Sequence, residues 1–152
     1  MGINGRQWRV SDVRPLYETA TDLVAERAIA ETIAGVFDRQ IEKLPKQYRL
    51  DFAVTDTERR VRAFLEVKRR HNAHDRYPDA ILSLSKVVAA KHLSDVVGVR
   101  SWFAIQWDDA IGYAPLDGHY TVSMTGRTDR GDWQDIEPHC HIPLSDFKLL
   151  YL

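Results

Sequence analysis

Three charged side chains sit in apolar surroundings mid-chain: Asp51 in Leu50-Asp51-Phe52, and Glu66 and Lys68 in Leu65-Glu66-Val67-Lys68. Charges inside an apolar strand cost stability unless they are exposed, paired or bound to an ion. Period-two alternation puts Glu66 and Lys68 on one strand face, and Leu65 and Val67 on the other. By the same rule Asp51 shares a face with Ala53, while Leu50, Phe52 and Val54 share the opposite one. A turn centred near Glu58-Arg59 sets Asp51 opposite Glu66, and such cross-strand neighbours lie about 4.5–5.5 Å apart. Two carboxylates that close repel, and one stays protonated unless a cation sits between them. Magnesium, or manganese in its place, suits the position: a hard ion that uses one or two carboxylates, keeps waters and binds phosphate oxygens. Such an ion activates water and stabilises charge on a phosphoryl group under attack. Lys68 would stand beside it, orienting that water or neutralising the developing charge.

The elements that must position these groups follow from local pattern. Thr21 to Leu44 reads as a helix, with Thr21 or Asp22 at its start and Pro45 just beyond its end. Its apolar stripe is Ala30, Ile33, Phe37, Ile41 and Leu44, at three- and four-residue steps. Gln47–Val54 and Val61–Lys68 read as two strands joined by the polar turn 55–60, a hairpin. The stretch 69–78 is polar and basic, hence a loop. A second helix is predicted over Asp79–Val97, stopped by Gly98. Strands follow at Arg100–Trp107, Ile111–Pro115 and His119–Thr125. Next come a loop over 126–137, a short edge strand at His141–Leu144, and an apolar end from Phe147 to Leu152 that docks on the core. The fold class is α/β, a central mixed sheet flanked by helices in the order α-β-β-α-β plus C-terminal strands.

The chain has 152 residues, a formal net charge of −1 and 44% hydrophobic residues, which fits a single domain over residues 1–152. So balanced a charge means that any case for nucleic acid rests on local charge. The single cysteine, Cys140, excludes an internal disulfide framework and fits a reducing compartment. No apolar run is long enough to span a bilayer, and Met1 to Arg6 lack a signal-peptide profile, so a cytoplasmic location is expected.

With those elements in place, the chain resembles the PD-(D/E)xK, or restriction-endonuclease-like, phosphodiesterases from about Thr21 to Trp107. That core is a helix, a hairpin carrying Asp and (Asp/Glu)-x-Lys, then a helix and another strand. The resemblance implies Asp51 and Glu66 as metal ligands with the Val67 carbonyl as a third, and Lys68 as catalytic base or its organiser. It also implies a glutamate on the first helix; Glu26, in helical step with Ala30, Ile33 and Phe37, fits better than Glu31. Leu50 stands where a proline often precedes the aspartate, and Asp56, in the turn, is a poor alternative ligand. Members often send a polar residue from the second helix toward the phosphate, which points to Lys86 with Ser83; Arg69 and Arg70 are further phosphate-binding candidates. The chain is also similar to small phage-encoded members of the group. The cofactor implied is Mg2+ or Mn2+, and the partner is nucleic acid, expected to be DNA, with no membrane. A homodimer or association with a phage assembly, in host cytoplasm or virion, is compatible with this.

Plainer readings compete. Glu-x-Lys alone is common on solvated hairpins, and the basic run Arg59, Arg60, Arg62, Lys68, Arg69, Arg70 and Arg76 can be a solvated loop as readily as a phosphate-backbone contact. His139-Cys140-His141 supplies only part of a zinc site and reads better as alternating side chains at a strand end. Trp102, Phe103 and Trp107 are expected in the core. The expectation is therefore a metal-dependent nuclease acting on DNA. The alternative is a catalytically silent nuclease fold that serves as a structural or assembly component of a phage particle. RNA cleavage shares the same backbone chemistry.

Overall fold

The computed structural model describes residues 19–151. The expectations about the N-terminus and about Leu152 lie outside the described residues. Helix α1 spans Ala20–Val36 and begins in a capping box: the Thr19 hydroxyl accepts from the Asp22 N–H, and the Asp22 carboxylate accepts from the Thr19 N–H. The cap is therefore Thr19, with Asp22 three residues inside it, and neither Thr21 nor Asp22 caps the helix. The helix also ends earlier than its apolar stripe suggests. Asp38 takes a left-handed φ of 53°, and the chain re-enters as strand β1, Gln40–Lys43. Ile41 is thus a buried strand residue and Phe37 a half-exposed residue at the helix cap.

Strands β2 (Phe52–Thr55) and β3 (Val61–Arg69) form the expected hairpin, with Phe52 paired to Leu65 and Ala53 to Phe64. Gln47 and Tyr48, the first residues of the strand predicted over Gln47–Val54, belong instead to a short 3-10 turn, Lys46–Tyr48, closed by Arg49 at a left-handed φ of 63°. That turn breaks the alternation before Phe52. Leu50 packs with Ala53 and Phe64, not with Phe52 and Val54 as the parity rule required. The hairpin turn is held by Asp56, which is buried. It accepts hydrogen bonds from the Glu58 and Arg60 N–H groups and from the Arg60 and Arg62 guanidiniums. Burial opposes its charge, but those bonds win and hold its pKa down to about 2. Asp56→Ala is expected to lower the melting temperature by several degrees without altering the site chemistry, measured by thermal denaturation beside the activity assay.

The predicted second helix divides. Asp79–Ser83 is strand β4, and helix α2 spans Leu84–Val97, ended by Gly98 at φ 78°. Strands β5 (Arg100–Gln106), β6 (Ala110–Pro115), β7 (Thr121–Thr125), β8 (Glu137–Pro143) and β9 (Lys148–Tyr151) complete the chain. The main sheet runs β1-β2-β3-β5-β6-β9, with β3 and β5 parallel and the other pairs antiparallel. A second sheet, β4-β8-β7, is antiparallel.

Helix α1 covers one face of the main sheet through Ile29, Ala30, Ile33 and Ala34, against Phe52, Val54, Leu65 and Val67. Residues of α2 and the second sheet, Ala90, Leu82 and Ile142, cover the other face with Phe64, Phe103, Ile105, Trp107 and Phe147. Burial of these side chains, worth about 1.5–3 kcal/mol each, fixes which face every β3 residue presents. Leu65 and Val67 face α1; Glu66 and Lys68 face the α2 layer.

Candidate active site

Asp51 lies one residue before β2, and its contacts bracket Glu66. Its N–H donates to the Leu65 carbonyl at 3.1 Å, and its Oδ2 accepts from the Val67 N–H at 2.8 Å. A strand residue's N–H and C=O point to the same edge, so the Val67 carbonyl faces the edge on which Asp51 sits. The other carboxylate oxygen, Oδ1, lies 3.5 Å from the Lys43 ammonium, which also rests 4.9 Å from the centroid of the Phe52 ring. The helical spacing over residues 40–43 hides Lys43; as part of strand β1 it pairs with Phe52, which brings it there.

Glu66 is fully buried, and neither of its carboxylate oxygens has a hydrogen bond of good geometry. Two ammonium groups reach Oε1: Lys86 from the first turn of α2 at 2.8 Å, and Lys68 at 3.6 Å. Burial, then the charge of Asp51, push the Glu66 carboxyl up to about 7 against the pull of Lys86 and Lys68. Burial opposes the charge on Lys86, yet Glu66, followed by Asp51 and Glu26, raises its pKa above the usual value. Removing the nearer ammonium has a defined sign: Lys86→Met is expected to raise the Glu66 pKa further, read by carboxyl NMR titration.

Glu26 comes from α1, on the same stripe as Ile29, Ala30 and Ile33. One of its oxygens is buried, and its field is felt at Lys86. Glu26, Asp51 and Glu66 do not form a tight trio, however. Among the described residues, the group of three ligand side chains with all donor atoms within 4.8 Å is His74, Asp75 and Asp109. Ser83 belongs to β4 and precedes α2, so it does not share a helix face with Lys86. Its hydroxyl lies 2.8 Å from that of Ser85, and it lines an open groove of about 600 Å³ with Arg49, Ser85 and His92. Arg69 is tied to Asp108 at 2.7 Å and to the carbonyls of Arg70 and Gln106. Arg59, Arg60 and Arg62 are likewise engaged by Glu42, Glu58 and Asp56, so much of the basic run is neutralised locally. His139 and His141 flank a buried Cys140 along β8; His141 bridges Ser123 and Asp79.

The residues fit a divalent cation. Glu66 Oε2 is a buried carboxylate oxygen without a donor, Asp51 raises the cost of ionising it, and the donors are hard oxygens of the type Mg2+ and Mn2+ take.

A mixed sheet with Asp51 and Glu66-Val67-Lys68 on neighbouring chain segments, α1 before them and α2 with β5 after, is a restriction-endonuclease-like fold of the PD-(D/E)xK class. The chain belongs to the family described as "Phage putative PDDEXK endonuclease", which it matches over residues 12–150. No curated protein matches it in sequence. Among solved structures it is similar to Hjc, a Holliday junction resolvase of the archaeal hyperthermophile Archaeoglobus fulgidus. The TM-score is 0.55 at 14% identity, over 85% of this chain and 90% of that one. At that identity the likeness is one of fold.

Proposed function

We propose that the chain, working as one domain, is a magnesium- or manganese-dependent phage nuclease that hydrolyses DNA phosphodiester bonds in the host cytoplasm. The observation that carries this is Glu66: a buried, under-satisfied carboxylate beside Asp51, with two lysines converging on it. In this reading Asp51, Glu66 and the Val67 carbonyl hold the cation. When bound, the cation supplies charge stabilisation at the phosphoryl group and an acidified water. Lys68, a third exposed at its side chain, orients that water and meets negative charge as it develops. Lys86 favours the ionised form of Glu66 against the burial that opposes it, and is placed to receive a phosphate oxygen. Glu26 adds negative charge to the same cluster. Whether two copies act together is a separate question, answered by the mass of the protein in solution.

The test is cleavage of duplex, single-stranded and branched DNA, and of RNA, with Mg2+, Mn2+ or EDTA. Cleavage restricted to the metal-containing reactions is expected; no cleavage of any substrate would overturn the proposal. One observation favours a second reading, a silent module for phage assembly: Lys86, at 2.8 Å, already neutralises Glu66. Incorporation into particles that tolerates loss of both Asp51 and Glu66 would support that reading.

A further inference from the structure

Beyond Lys68 on β3, Arg70 continues the ladder to β5 by donating its N–H to the Gln106 carbonyl at 2.8 Å. Period-two alternation puts its side chain on the face of Glu66 and Lys68, about 7 Å along the strand from Lys68. There it lines a cavity of about 320 Å³ together with His74, Tyr77, Ile105 and Trp107. Arg70 is half-buried, and burial pulls its pKa down. Its side chain makes one long hydrogen bond, 3.5 Å to the Ile81 carbonyl, and no ion pair among the described residues. Asp79 also borders the cavity, but its carboxylate lies 3.3 Å from His141. A half-buried guanidinium with no carboxylate partner among the described residues is short of an anion, and its planar fork suits phosphate. Asn72 and His74 add polar groups, His74 held by Asp109, and the rest of the wall is apolar and aromatic. Trp107 and Ile105 are buried, whereas Tyr77 stands 59% exposed at the rim.

We infer that this cavity receives one unpaired nucleotide of the substrate next to the cleavage site. Its phosphate lies on Arg70, and its base stacks at Tyr77 against the apolar wall. The inference deepens the nuclease proposal and rests on it. The cavity is at the small end of the range for ligand pockets, the scale of a single nucleotide rather than a duplex. Bases within an intact helix remain stacked and cannot enter, so the pocket selects strand ends, flaps and branch points. Aromatic stacking of that kind tolerates any sequence.

The experiment measures binding in EDTA, where the wild-type protein cannot cleave. The probes are a fluorescent blunt DNA duplex and the same duplex with a short single-stranded overhang. The overhang form is expected to bind about ten-fold more tightly, the scale of one stacked base. Arg70→Met and Tyr77→Ala are each expected to bring that ratio close to one. Tyr77 is exposed, so its variant decides the matter if Arg70→Met fails a thermal-melt check of folding. Equal binding of the two duplexes by wild type, or a preference that survives Tyr77→Ala, would overturn the inference. Metal-dependent cleavage without any overhang preference would sink the pocket and leave the nuclease standing. Overhang preference without cleavage would do the reverse.

Discussion

Replacing Asp51 with asparagine is expected to abolish metal-dependent cleavage while leaving the fold intact. The carboxylate's Oδ2 accepts from the Val67 N–H, and its Oδ1 faces Lys43 at 3.5 Å. An asparagine side-chain oxygen can still accept from Val67, so the hairpin keeps its local bond and the protein its melting temperature. What is lost is the negative charge beside Glu66. The expected fall in rate is about a thousand-fold or more, the scale on which a preorganised charged group contributes to such a transition state. Lys68→Ala should match it, since Lys68 is half-buried on the sheet, where truncation costs little stability. Steady-state cleavage rates beside circular dichroism separate the outcomes. Loss of rate with loss of fold would speak for a structural aspartate, and retained rate would remove Asp51 from the chemistry.

The second large effect concerns stability. In the metal-free protein Glu66 titrates at about 7 against an ordinary value of 4.5. Between those two pH values the folded state binds more protons than the unfolded one, so stability falls as pH rises from about 4.5 to 7. Glu66 is fully buried, and the shift corresponds to an order of 3 kcal/mol across the window. A divalent cation binding the ionised form should lower that pKa and restore stability at neutral pH. Glu66→Gln should remove both the falling limb and the response to Mg2+. The measurement is urea unfolding from pH 4.5 to 8, for wild type and Glu66→Gln, with and without Mg2+. The difference between the two proteins isolates the contribution of Glu66. Parallel curves would show that Glu66 carries no buried charge of consequence.

The hairpin was legible because its information is local. Alternation along Val61–Lys68 assigns faces, and a polar turn joins two apolar runs, so Glu66 and Lys68 land where the pattern puts them. Glu26 follows from helical spacing within α1 in the same way. What escaped detection depends on distant partners. Ile41 and Leu44 continue the three- and four-residue steps of α1, and nothing local says that the chain turns at Asp38 to pair with β2. Strand β4 satisfies helical and strand patterns alike. It is a strand because Asp79 to Ser83 pair with Pro143 to His139, far along the chain. The lost β1 concealed Lys43 beside Asp51, and the misread α2 start grouped Ser83 with Lys86. Arg69 and Arg70 look equivalent in sequence. Their alternation sends one to Asp108 and the other into the cavity beside Trp107.

Crystals soaked in manganese and measured at the manganese edge address the central claim most directly. An anomalous peak is expected among Asp51, Glu66 and the Val67 carbonyl, absent from Asp51→Asn crystals. No peak there, or a peak confined to His74, Asp75 and Asp109, would contradict it.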